Sequence, residues 1–120
     1  MIDHISLSVA DLQKSRNFYL KVFETLGFKV WVDERDYVGF GTQERPHFWI
    51  NQGTKKNQVH IAFPAKNRST VDLFYDIAMK SGAIDNGKPG LRPEYHKDYY
   101  GAFVIDPDGN NIEAVCHKPE

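Results

Sequence analysis

The sequence predicts an α+β fold: two paired βαβββ modules forming a curved mixed sheet, with the helices on its outer face. Three observations lead there. The chain carries a diluted copy of itself: at one constant offset His4 falls on His60, Ile5 on Ile61, Asp11 on Asn67, Phe18 on Phe74 and Tyr19 on Tyr75. Each copy opens with alternating polar and apolar residues and continues with an apolar stripe at three-four spacing, the periods of a strand and then a helix. Each stripe closes on a glycine, Gly27 or Gly82, the second slipped by one residue. A repeat of this length suggests a duplicated supersecondary unit whose halves share one core.

The elements follow in order. Ile2 to Val9 reads as the first strand, with Ile5, Leu7 and Val9 on one face and His4, Ser6 and Ser8 on the other. Asp11 fits the N-cap of the next helix, its carboxylate accepting from free backbone N–H groups. That helix lines up Ser15, Phe18, Tyr19, Val22, Phe23 and Leu26 on one stripe. Gly27 stops it, since glycine enters the left-handed region without penalty. Strands are expected near Phe28–Val32, Tyr37–Gly41 and His47–Asn51. The polar linker Gln52–Asn57 then separates half-modules 1–52 and 58–117 of a single domain, residues 1–120.

The second half repeats the plan. Gln58–Phe63 reads as a strand, Asn67 as a cap, and Val71, Phe74, Tyr75, Ala78 and Met79 as the apolar stripe of a helix ended by Gly82. A short strand from Ala83 to Asp85 leads into an irregular stretch, Asn86 to Asp98, and a strand from Tyr99 to Ile105. Asp106-Pro107-Asp108-Gly109-Asn110 is a turn, and Asn111 to His117 the last strand.

Composition bounds the function. At 120 residues, 41% apolar and 26% charged, the chain is long enough for one core without staples. A net charge of −1 with no basic run gives no footprint for nucleic acid or an anionic membrane. The apolar runs are strand-sized and no basic-then-apolar leader opens the chain. Cys116 is the single cysteine, so no internal disulfide forms. These features lead us to expect a cytoplasmic protein with a small-molecule partner.

Strand parity selects the candidate site. Successive side chains alternate faces, so apolar neighbours report where a polar residue points. His4, His60 between Val59 and Ile61, and Glu113 between Ile112 and Ala114 are all expected on the open side of the sheet. Two imidazoles and a carboxylate suit a divalent metal ion with positions left open for water or substrate. Each residue alone is more ordinarily a hydrogen-bonded strand residue. The repeat that relates His4 to His60 favours ligation.

These segments resemble the vicinal oxygen chelate superfamily, the glyoxalase/bleomycin-resistance/dioxygenase-like proteins. The carrying residues are Asp3-His4-Ile5-Ser6-Leu7-Ser8-Val9-Ala10-Asp11-Leu12, Phe18-Tyr19, Leu26-Gly27-Phe28 and Val59-His60-Ile61-Ala62-Phe63. The most specific stretch runs from Tyr100 to Glu113, around Asp106-Pro107-Asp108-Gly109-Asn110. The resemblance covers essentially the whole chain. It implies paired βαβββ modules, commonly a homodimer, and a divalent metal (zinc, nickel, iron or manganese) held by His4, His60 and Glu113. It also implies a metal-dependent enzyme of glyoxalase-like lyase or isomerase type, acting on a small oxygenated metabolite through bidentate chelation. The same superfamily holds extradiol-type dioxygenases, thiol transferases that act on an epoxide antibiotic, and metal-independent antibiotic-binding modules. Glyoxalase-type isomerases add a carboxylate from the fourth strand, where this chain has His47-Phe48-Trp49-Ile50-Asn51. A three-ligand set is closer to the dioxygenases and thiol transferases, with Trp49 as a pocket wall in the lost ligand's place.

The remaining candidates surround that centre. His47 fits a fourth ligand, an acid/base group, or an edge histidine in solvent. In the long stretch Pro89 to Tyr100, Arg92 can clamp a carboxylate or phosphate, while Tyr95 and His96 can donate or shuttle protons. Two prolines stiffening a surface loop explain the same stretch without a ligand. Tyr100 is expected on the cavity face with Ala102. Cys116 reads as a buried inert thiol, and His117 has the parity of Glu113 with no role assigned.

Overall fold

Hydrogen-bonding order in the computed structural model, which describes residues 1–120, follows the repeat closely. The first half comprises β1 (Ile5–Val9), α1 (Leu12–Thr25), β2 (Lys29–Asp33), β3 (Tyr37–Gly41) and β4 (Pro46–Gln52). The second comprises β5 (His60–Pro64), α2 (Arg68–Lys80), β6 (Ile84–Leu91), β7 (Tyr100–Ile105) and β8 (Asn111–Cys116). Each half closes its own four-stranded mixed sheet, in the orders β1-β4-β3-β2 and β5-β8-β7-β6. In both, the first strand pairs in parallel with the last and the other pairs are antiparallel.

Local chemistry sets the helix ends. Asp11 accepts from the Lys14 N–H and Asn67 from the Thr70 N–H, each satisfying a free first-turn donor. Gly27 (φ 82) and Gly82 (φ 99) take the left-handed turn beyond each helix. The apolar stripes face inward: Phe18, Tyr19, Val22 and Phe23 of α1 and Val71, Phe74 and Ala78 of α2 are buried against the sheets. No helix is long and apolar enough to cross a membrane.

One core serves both halves. Phe63 of β5 packs its ring 4.9 Å from Phe23 and 5.7 Å from both Phe28 and Phe48 of the first half. The turn between β7 and β8 supplies polar ties. Asp106 accepts the buried Tyr19 hydroxyl and the N–H groups of Asp108 and Asn110. Burial, with the Asp106 carboxylate beside it, pushes the Tyr19 phenol well above its usual value, so it stays a donor. Asp108 accepts from the Ala10 N–H at 2.9 Å and the Ser15 hydroxyl at 3.1 Å.

Two expectations change. His4 lies ahead of the first strand rather than within it, because pairing with β4 begins at Ile5 opposite Phe48. The stretch after Asp85 is less irregular than its glycines and proline imply: β6 continues to Leu91, with register shifts between Asp85 and Gly87 and between Gly87 and Gly90. Those bulges absorb Pro89, which has no N–H to give the ladder.

Candidate functional site

The open faces of the two sheets are built by the same parity but carry different side chains. In the second half, β8 turns Ile112, Ala114 and Cys116 into the core. Glu113 therefore projects from the opposite face, where it is nonetheless only 1% exposed. His60 and Ala62 of β5 share that face, with Ala62 directly opposite Glu113. His60 Nε2 lies 2.8 Å from Glu113 Oε1, and the imidazole side chain is 52% exposed. The second carboxylate oxygen accepts the Tyr99 hydroxyl. Burial, and then the hydrogen bond to Glu113, push the Tyr99 phenol far above its usual value.

Gly101 makes that contact sterically possible. A Cβ there would stand 3.2 Å from Tyr99 Cε1 and 3.3 Å from Glu113 Oε2. The wall continues through Phe103, whose ring centre is 6.0 Å from that of His60. The Arg92 guanidinium lies 5.4 Å from the Phe103 ring centre and donates through Nη2 to the Lys88 carbonyl at 2.7 Å.

The first half presents a cavity of about 610 Å³ lined by His4, Ser6, Tyr37, Trp49 and Asn51, with Asp3, Arg45 and Pro46. Trp49 stands opposite Ser6 as Glu113 stands opposite Ala62, so the indole occupies the carboxylate's place in the repeat. Its ring lies over Gly39, where an added Cβ would fall 2.6 Å from the indole. His4 is exposed, its Nδ1 2.7 Å from Asp3 Oδ2, while Arg45 donates to the other Asp3 oxygen. His4 and then Arg45 hold the Asp3 carboxyl below its usual range.

The other candidates separate. His47 lies 3.2 Å from the Asp3 carbonyl and 3.3 Å from Thr42 Oγ1. It shares a recess of about 360 Å³ with His60, Phe48 and Phe63 where the β1 and β5 edges meet, apart from Trp49. Tyr95 is 61% exposed and touches Tyr99 edge-on at 4.9 Å. His96 pairs with His117, Nε2 to Nδ1 at 2.9 Å. Tyr100 is a correction: it shares a face with Ala102, and that face is the helical one. Its hydroxyl donates to Asp72 of α2 at 2.6 Å, and Arg68 lies over its ring. Tyr99, absent from the sequence candidates, takes the open-face position beside Glu113 instead. The signal was available, since Tyr99, Gly101 and Phe103 alternate with the core residues Ala102 and Val104.

No three His, Cys, Asp or Glu side chains of one chain converge tightly enough to hold a metal ion. His60 and Glu113 meet, and His4 belongs to the other wall. The pair suits a metal as far as it goes: two donors each about 2.1 Å from one ion lie roughly 3 Å apart. Tyr99 would also orient the ligating carboxylate by holding its far oxygen.

Residues 1–114 match the model of the Glyoxalase/Bleomycin resistance protein/Dioxygenase superfamily. The chain belongs to that superfamily. A glyoxalase/bleomycin resistance protein from Albidiferax ferrireducens T118 is 25% identical, with 97% of this chain and 98% of that one covered at a TM-score of 0.84. Lactoylglutathione lyase from Agrobacterium tumefaciens is 18% identical over 97% and 92% of the two chains, TM-score 0.72. The fosfomycin resistance protein FosX from Mesorhizobium loti is 19% identical over 98% and 92%, TM-score 0.72. At those identities the last two share the fold with this glyoxalase-superfamily chain. The superfamily commonly binds divalent metals and small molecules.

Proposed function

We propose that this chain is a metal-dependent glyoxalase-like enzyme of lyase or isomerase type, acting on a small oxygenated metabolite that chelates through two adjacent oxygens. The observation carrying this reading is the His60–Glu113 pair: a carboxylate almost fully buried, steadied by Tyr99, with an accessible imidazole beside it on an open face. In this reading His60 and Glu113 hold the ion together with His4 of a second copy in a homodimer. The exposed position of His4 supports an assembly of that kind. Such an ion, when bound, stabilises negative charge developing on a substrate oxygen.

The protein's own groups do the rest. Tyr99 fixes which oxygen of Glu113 is free. Trp49 and Tyr37 form an aromatic wall, their ring planes inclined by 48°, and Arg92 orients an anionic group from beside Phe103. Tyr95 and His96 make their contacts with Tyr99 and His117, so no proton step is assigned to them.

Metal analysis of protein purified without added ions tests the reading. We expect about one transition-metal ion per chain, lost in His60→Ala and Glu113→Gln. His4→Ala should lose it as well while the dimer persists in light scattering. Metal retained in His4→Ala would return the site to a single chain. Iron(II) with oxygen uptake on catechols would make the protein a dioxygenase, and thiol addition to fosfomycin a thiol transferase. A metal-free wild type unaltered by His60→Ala would instead mark a small-molecule binding module.

A further inference from the structure

Away from the His60–Glu113 pair, the loop after β6 and the residue after β8 bring two exposed imidazoles together. His96 Nε2 and His117 Nδ1 are 2.9 Å apart, with ring centres 5.1 Å apart and planes inclined by 25°. Hydrogen-bond bookkeeping fixes their protons. The Asp98 N–H donates to His96 Nδ1 at 3.1 Å, so that nitrogen carries a lone pair. In the neutral ring the proton then sits on Nε2 and is donated to His117 Nδ1, leaving the His117 proton on its outer nitrogen. Both rings are held edge-on by Tyr99, at 5.5 Å from His96 and 5.3 Å from His117. They are thus positioned relative to each other before any ligand arrives, and both remain open to solvent.

We propose that His96 and His117 form a second, surface binding site for a borderline transition-metal ion such as copper(II), nickel(II) or zinc(II). Two imidazole nitrogens each about 2.0–2.1 Å from one ion lie roughly 3 Å apart. That separation is present, and the two rings, whose facing nitrogens lie between their centres, must turn to aim both lone pairs at one ion. The ion takes the place of the shared proton. His96 keeps one proton overall by moving it from Nε2 to Nδ1, so the Asp98 amide loses its acceptor. His117 binds through Nδ1 and keeps its outer proton. Binding to the two neutral rings releases no proton. Solvent fills the remaining coordination positions. None of these ligands belongs to the His60–Glu113 pair, so the inference stands independently of the proposed enzyme site.

Copper(II) titration of the full chain, followed by electron paramagnetic resonance, tests this directly. Wild type is expected to take up two ions, His60→Ala one and His117→Ala one, the ion remaining in His60→Ala showing coupling to two imidazole nitrogens. His96→Gln and His117→Asn, which keep a polar side chain, should behave like His117→Ala if the alanine variant folds poorly. Zinc(II) should shift the Asp98 amide resonance in wild type and leave it unmoved in His117→Asn. One ion in wild type, lost in His117→Ala and kept in His60→Ala, supports this site while removing the other. Unchanged stoichiometry and affinity in both His96→Gln and His117→Asn would overturn it, leaving adventitious copper only.

Discussion

The two modules share a frame and differ on one face. Both cap their helix with an Asx side chain, close it with a left-handed glycine and pair their first strand in parallel with their fourth. Their core faces match accordingly. On the open face, the first module sets Trp49 against Gly39 where the second sets Glu113 against Phe103. Large and small have changed sides along with polar and apolar. His4 has a solvent-facing aspartate for company, and His60 a buried glutamate. Duplication thus settled where side chains project, and each module then filled those positions for its own use.

The largest test asks whether the modules are separable at all. Phe23 belongs to the first, yet its ring touches Phe63 of the second as well as Phe28, Phe40 and Phe48. Phe23→Ala should cost about 3–5 kcal/mol and leave a single denaturant transition. An unshifted second transition would break the view of one core. Next come the two glycines beneath the contrasting walls. Gly39→Ala forces the Trp49 ring to move and should cost about 1–3 kcal/mol by thermal unfolding. Gly101→Ala meets Tyr99 and Glu113 at a looser distance, so its cost should be smaller, with loss of bound metal as its main reading.

The caps should behave alike. Asp11→Ala and Asn67→Ala are each expected to lower stability by about 1 kcal/mol, and a large disparity would show that one helix is held mainly by packing. The smallest effects separate the modules by pH. At matching helix positions Arg16 pairs with Asp33 of β2, and Asp72 accepts from Tyr100 of β7. Arg16 lowers the Asp33 carboxyl, so this tie is present above the ordinary carboxyl range and lost as pH falls through the folded value. Tyr100 is pushed up to about 12, first by its bond to Asp72 and then by burial. Its contribution is complete below the ordinary value of 10.0 and lost as pH rises through about 12. Asp33→Asn should flatten the acid limb of the stability profile and Tyr100→Phe the alkaline one.

Parity made much of this readable beforehand. Glu113 and His60 sit between core residues in the sequence, and alternation alone sends them to the same face. Alternation also sends Trp49 to the open face, and the resemblance to glyoxalase-type isomerases marks its place as that of a carboxylate. At Tyr100 alternation points inward, because its neighbour in parity, Ala102, is a core residue, and Tyr99 takes the open face. The extension of β6 was hidden because bulges let a glycine- and proline-rich stretch stay in the ladder. Nor does a one-dimensional repeat say which walls face each other. His4 and His60 match in the repeat and still line different recesses.

The polar linker has a practical side. Lys55 and Lys56 are exposed between the modules, while the aromatic core and the Asp106–Tyr19 and Asp108–Ser15 bonds bridge them elsewhere. A trypsin nick between those lysines would leave two fragments that migrate as one particle, making this a natural place to split the chain into complementing halves.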